Sequence, residues 1–300
     1  MAPITPAYRI RPLDVGDILD EAFRIYRANF SLMLTIAVVA SVPAVISGIG
    51  SGSGGPLNTL QQFAAFSQGS NLVRPDTTLL PLTVVGTVLG VLMFPVSTAA
   101  PVFGACAVIL GLPATVGSIL RQSLRNYWRV WLIGIIYILV SVSAILIISI
   151  PFVVWLLVRW NFRYQVLYLE HAGVGGSLTR SSTLVKGSWW RIFGILFLIG
   201  LIVGILGLIL QGMFGLLALL APSGLWRQAV GGALSAIGAA VLVPFSAIAT
   251  TLLYLDRRVR LESLDLQLMA GQAGQVAAPP PVPAGDLPPA WNDFPPPSAG

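Results

Sequence analysis

Between Val158 and Glu170 an otherwise apolar stretch carries Arg159, Asn161, Arg163 and Glu170, the residues whose types and spacing best suit chemistry. A guanidinium can grip two oxygens of a phosphate or carboxylate at once. On one continuous helix Arg159, Arg163 and Glu170 share a face, and Arg159, Asn161 and Arg163 follow Pro151 by only 8 to 12 residues, about 12 to 18 Å of helix. Arg159, Asn161 and Arg163 are therefore candidates for holding a lipid phosphate on the inner-leaflet side. The competing expectation is that both arginines snorkel to the headgroups or pair within the bundle.

Other chemistry is thin. His171 is the one histidine and Cys106 the one cysteine, so no cluster of soft ligands is available for a metal. Cys106 lies in an apolar run and reads as lipid-facing or packed filler. Gly173, Gly175 and Gly176 are followed by no Walker lysine, and no Gly-x-Ser-x-Gly elbow occurs. No catalytic residue, metal ligand or cofactor is expected. Gly86 with Gly90, and Gly200 with Gly204, are spaced for close helix approach, within the bundle first and between copies second.

The elements that must position these residues follow from composition. A 300-residue chain that is 56% hydrophobic and 9% charged cannot cover itself with polar groups in water, where about 25% charged is usual. Its apolar runs predict six membrane crossings, centred near residues 40, 90, 140, 158, 201 and 242. Five of them hold no ionisable residue in their central portions, which disfavours ion-coupled transport. With the N-terminus in the cytoplasm, every basic residue except Arg74 and Arg227 falls inside, and Lys and Arg beside a span set its orientation. The net charge of +6 then points to anionic headgroups rather than nucleic acid, because the cations sit in short clusters beside spans. The first run follows a long polar stretch and reads as a retained anchor rather than a signal peptide.

Three amphipathic helices are expected on the cytoplasmic surface. The first runs from Asp14 to Phe30, with Asp14 as N-cap, Asp20 paired to Arg24, and Arg24 and Arg27 on its polar face. The second is capped by Thr115 and turns Arg121 and Arg125 outward; the third begins at Ser177 and carries Arg180 and Lys186. Gly16, Gly117 and Gly176 open these helices in similar pentapeptides, and each helix runs through aromatic and basic residues into a span. That pattern predicts three repeats of surface helix plus transmembrane hairpin. The run from Leu79 to Leu112, with Pro81, Pro95 and Pro101, reads as one kinked span to about residue 102, the rest bending along or partly re-entering the inner leaflet. The fourth span is expected to descend from Pro151 toward Glu170.

The expected organisation is a cytoplasmic amphipathic helix over 1–29, a six-span all-α membrane domain over 30–256, and a cytoplasmic tail over 257–300. The tail carries nine prolines from Pro279 to Pro297 and reads as disordered or polyproline-like.

Three stretches carry a likeness. Residues Arg11 to Phe30, the block from Val158 to Phe193, and Leu252 to Arg260 resemble the bacterial multi-pass membrane-domain family named after glycerophosphoryl diester phosphodiesterases. The similarity covers most of residues 10–268. It implies a multi-pass fold in a bacterial inner (plasma) membrane. In that family, catalysis belongs to a fused metal-assisted barrel that needs paired histidines and several acids. None of the barrel's motif is present here, so the resemblance implies no activity and transfers no catalytic residue.

The reading that results is a non-catalytic membrane protein with both termini cytoplasmic. Its expected partners are anionic lipid, a membrane protein it would serve as accessory or scaffold, and a second copy of itself. A carrier or flippase-like protein for a phospholipid or small amphiphile is the alternative.

Overall fold

A computed structural model describes residues 13–51, 80–145, 149–222 and 225–262. Among these residues the secondary structure is helical, without strands. The helices in chain order are α1 (Val15–Ala28), α2 (Phe30–Ser51), α3 (Leu80–Ile109), α4 (Val116–Arg125), α5 (Tyr127–Val142), α6 (Ile150–Arg159), α7 (Arg163–Leu169), α8 (Val174–Val185), α9 (Trp189–Ala218) and α10 (Leu225–Glu262). The Pro-rich tail and the polar stretch over 52–79 lie outside the described residues.

Four helices among the described residues, α2, α3, α9 and α10, are long and apolar enough to cross a membrane. These are the proportions of a membrane protein. The crossings expected near 140 and 158 correspond to α5, with 16 residues, and α6, with 10. At 1.5 Å per residue they rise about 24 and 15 Å, short of a hydrocarbon core of about 30 Å. Two local features shorten them. A 3-10 turn at Ser143–Ile145 ends α5, and Pro151 sits in the first turn of α6, where its missing N–H costs nothing. Three turn residues, Trp160, Asn161 and Phe162, then separate α6 from α7, so the descending helix toward Glu170 is broken.

The long helices pair as antiparallel hairpins. In the first, Ile36 of α2 meets Gly104 of α3 and Ser47 meets Gly86. In the second, Arg191 at the start of α9 bonds Asp256 near the end of α10 at 2.9 Å, and Gln211 donates to the Ser235 carbonyl at 3.1 Å. The hairpins cross where Gly48 and Gly232 bring the backbones of α2 and α10 together; a Cβ on Gly232 would overlap the Gly48 carbonyl.

Contrary to the expected bend near residue 102, α3 runs unbroken through Pro95 and Pro101 to Ile109. Its first half is largely exposed, and from Pro95 onward it is buried almost continuously. Packing on every side holds this segment helical despite two prolines, as tertiary contacts do in membrane bundles. Similarly, α10 continues past residue 257, where the tail was expected to begin, to Glu262, because Asp256, Arg257 and Val259 are buried in the bundle.

The amphipathic pattern of α1 finds a protein partner. Ile18, Ala22 and Ile25 are fully buried, and α1 lies antiparallel along α10. The Leu13 N–H donates to Asp256 Oδ1 at 2.9 Å at one end, and the Tyr26 hydroxyl donates to the Val241 carbonyl at 2.8 Å at the other. The apolar stripe expected to rest on lipid is therefore covered by α10. Arg24 chelates Glu21 at 2.5 and 2.6 Å rather than Asp20. The Thr115 cap of α4 is as expected: its Oγ1 accepts from Ser118 N–H at 3.2 Å, and Ser118 Oγ accepts from Thr115 N–H at 3.0 Å. In α8 the helix begins three residues earlier than expected, at Val174, and buries Ser177 and Ser181.

Candidate functional site

Most cations in the described residues fall into two sets, and the division starts with two acids, Asp256, which is buried, and Glu170, which is half-buried. The Asp256 side chain is 0% exposed. Its Oδ1 accepts from Leu13 N–H and from Arg260 Nε at 2.8 Å, and its Oδ2 accepts from Arg191 Nη1 at 2.9 Å. Arg191 and Arg260 each also donate to the Leu13 carbonyl at 2.9 Å. One carboxylate thus ties the start of α1, the start of α9 and the end of α10 together. Glu170 anchors the second knot, accepting from Arg180 Nε at 2.8 Å and from the Tyr254 hydroxyl at 2.8 Å. Glu262 closes it by accepting from Arg180 and, at 3.0 Å, from Arg258. Burial lowers the Arg180 pKa, but hydrogen bonds to Glu170 and Glu262 more than reverse this and hold it above its ordinary value. Arg257, nearly fully buried, donates to the Leu184 carbonyl at 3.1 Å.

Arg27, Arg121, Arg125, Arg129 and Lys186 form the other set. All five are exposed, and none has a carboxylate partner among the described residues. Large exposed apolar rings stand close to them in sequence: Phe30, Trp128 at 74% exposure, and Trp190 at 78%. Such rings and cations side by side match the chemistry of a headgroup region. Arg24, by contrast, is exposed but bound to Glu21.

At the break between α6 and α7 the lipid-phosphate candidates separate. Because the helix stops at Arg159 and restarts at Arg163, the continuous face of Arg159, Arg163 and Glu170 does not exist. The Arg159 guanidinium lies over the Trp155 ring at 4.4 Å. That of Arg163 lies over Tyr137 at 3.8 Å and Tyr164 at 4.5 Å, and its Nη1 donates to the Trp160 carbonyl at 3.0 Å. Arg163 Nε and Asn161 Nδ2 are buried without an acceptor. Ser181 of α8 splices the break: its hydroxyl donates to the Arg159 carbonyl at 2.7 Å and accepts from Phe162 N–H at 3.1 Å.

The candidate glycines also separate. A Cβ on Gly86 would collide with the α2 backbone at Ser47, and one on Gly90 would touch Pro43 at 3.9 Å. Around Gly200 and Gly204 nothing lies within 4 Å. An apolar groove of about 420 Å³ opens between α2, α3 and α5, flanked by Pro43, Phe94 and Trp131. Two of the hydroxyls that line it are spent on their own helices, Thr87 on the Thr83 carbonyl at 2.7 Å and Ser97 on the Phe94 carbonyl at 3.0 Å. Cys106 is buried in α3, packed rather than lipid-facing, and His171 is exposed in the turn after Glu170 with a φ of 51°.

Sequence reasoning missed Ser181 and Asp256. Ser177 and Ser181 stand one helical turn apart on the inner face of α8, buried with Leu184 and Val185; Asp256 is the acid interrupting a Leu, Tyr and Arg run. Compared with known proteins, the chain matches no family model, no curated protein and no solved structure.

Proposed function

We propose that this is a non-catalytic, multi-pass protein of the bacterial inner membrane, akin to the membrane-domain family it resembles. Its unpaired cations engage anionic inner-leaflet headgroups, and its role is that of an accessory or scaffold for a membrane partner. The division of its cations is the observation that carries this reading. Arg180, Arg191, Arg258 and Arg260 are consumed by buried or half-buried acids, whereas Arg27, Arg121, Arg125, Arg129 and Lys186 are left facing outward. A cation without a protein counter-charge beside an exposed tryptophan is satisfied by a lipid phosphate.

The membrane boundary follows from two helices on one stretch of α10. Along residues 241–256, α1 presents exposed Asp20, Arg24 and Arg27, while α9 presents exposed Trp190, Phe197 and Leu201. Water or headgroups must meet the first set and hydrocarbon the second. At 38 residues α10 is about 57 Å long, well beyond a bilayer core. Its second half, after Pro244, therefore runs along the cytoplasmic boundary. The α5–α6 hairpin exposes Leu132, Leu139, Val142 and Phe152 and dips into the same leaflet. That hairpin returns the chain to the side it left, so this reading keeps both termini cytoplasmic without depending on six full crossings.

The test is lipid retention by the full-length protein, quantified by mass spectrometry after purification from mixed phosphatidylglycerol and phosphatidylcholine. Replacing Arg27, Arg125 and Lys186 together by Gln removes about 1 kcal/mol of headgroup attraction per cation, a loss of tenfold or more. The variant should lose most of its phosphatidylglycerol at low salt and keep its phosphatidylcholine. Equal phosphatidylglycerol on wild type and variant rejects the reading. The second reading, a carrier for a phospholipid or small amphiphile, is favoured by the groove, whose apolar lining suits an acyl chain. Liposome scrambling above the protein-free background would promote it.

A further inference from the structure

Arg163, like Arg159, belongs to the α6–α7 region and has no neutralising acid among the described residues. It sits where α7 begins, immediately after the turn formed by Trp160, Asn161 and Phe162. Two aromatic rings, Tyr137 at 3.8 Å and Tyr164 at 4.5 Å, lie against its guanidinium. Of its five N–H donors, Nη1 reaches the Trp160 carbonyl and Nε is buried with no acceptor. No carboxylate among the described residues pairs with it. The edge left over, Nε with Nη2, is the fork with which arginine grips two oxygens of one oxyanion. Two residues away, Asn161 Nδ2 is likewise buried and unsatisfied.

Unpaired donors on two neighbouring side chains, one of them cationic, define what is missing: an acceptor that carries negative charge and several oxygens. Buried polar groups in native proteins nearly always have partners, so two orphans at one turn mark a ligand position. The rigidity of the turn adds to this. Ser181 holds both of its ends, through the Arg159 carbonyl and the Phe162 N–H. The donors are thus presented by a backbone braced from another helix. Arg159 does not join them, since its guanidinium is stacked on Trp155 of its own helix.

We propose that Arg163 and Asn161 form a discrete site for a phosphate-type oxyanion, walled by Tyr137 and Tyr164. The same chemistry is offered by the headgroup of an anionic phospholipid and by free phosphate. The site is separate from the exposed cations of α1, α4, α5 and α8, and only its lipid source rests on the membrane reading above. A buried ion pair escapes screening, whereas the exposed cations release their lipid when the Debye length shrinks to about 3 Å in 1 M salt. That difference separates the two.

The experiment uses the full-length protein in detergent with two probes at 1 M NaCl. In one arm phosphatidylglycerol is supplied and the retained lipid counted by native mass spectrometry. In the other, lipid-stripped protein receives inorganic phosphate and its thermal midpoint is followed. Wild type should retain a single salt-resistant phosphatidylglycerol, and the triple Gln variant of Arg27, Arg125 and Lys186 should retain it too. Arg163→Gln should lose it, as should Arg163→Lys, which keeps the charge but not the fork; Asn161→Ala should weaken it. Losing two charge-assisted bonds corresponds to a drop of about tenfold or more in affinity. Stabilisation by phosphate alone, absent in Arg163→Lys, also supports the site and assigns it to the free anion. Wild type that holds neither probe at 1 M salt overturns the proposal without any variant. Undiminished retention in Arg163→Lys and Asn161→Ala overturns it as well.

Discussion

Asp256 is the residue on which the polar end of the molecule converges. A carboxylate with no exposure is tolerable in an apolar bundle only because two guanidiniums and one backbone N–H satisfy it. Replacing it by Ala leaves Arg191 and Arg260 without their shared anion and frees the start of α1. Asp256→Ala should therefore destabilise the purified protein by about 3 kcal/mol or more, read as a lowered midpoint in thermal unfolding. An unchanged midpoint would remove this carboxylate from any structural role. At this scale the sequence was informative about residue type and poor about partners. Arg159, Asn161 and Arg163 stood out as polar groups in an apolar stretch. Yet the helical register that placed Arg159, Arg163 and Glu170 on one face assumed continuity across Asn161, and the chain turns there. Bonds from Glu170 to Tyr254 and Arg180, or from Ser181 across the α6–α7 break, join residues remote in sequence, and no local pattern encodes them.

Among the elements, glycine spacing alone proved an incomplete guide to contact. Gly86 and Gly90 sit on the α2–α3 contact and Gly200 and Gly204 on an open side of α9, although both pairs share the same four-residue interval. The tightest approach, Gly48 against Gly232, joins helices from opposite halves of the chain, and no local spacing indicates that these two glycines meet each other. Gly232→Ala should push α10 off α2 and cost about 1 to 3 kcal/mol, as overpacking of a filled contact does. In Gly200→Ala and Gly204→Ala the new methyl meets no neighbour, and the midpoint should stay within about 0.5 kcal/mol of wild type or rise slightly with helix propensity. Similar losses in all three variants would place α9 in a contact that this chain alone does not show. The length of the apolar runs made every long helix legible, and the caps at Asp14 and Thr115 were legible too. What it could not reveal was which apolar face meets protein: the stripe of α1 is equally suited to lipid and to α10, and only the bonds at Leu13 and Tyr26 decide between them.

For the whole molecule, sidedness is the property that the rest depends on. Antiparallel hairpins α2–α3 and α9–α10, with the shorter α5–α6 between them, bring Leu13 and Asp256 into contact, so both ends of the described chain lie together. The same end gathers the two acid-centred knots, and unpaired cations flank the spans that leave it. The proposed orientation sets that end in the cytoplasm and the start of α10, with Arg227, outside. A membrane-impermeant maleimide applied to intact cells and to permeabilised ones tests this most directly. Single Lys186→Cys and Arg227→Cys variants of the full chain serve as reporters, since Cys106 is buried. Cysteine at 227 should label in intact cells, and cysteine at 186 only after permeabilisation. Labelling of position 186 in intact cells would contradict the account, because the unpaired cations would then face away from the inner leaflet.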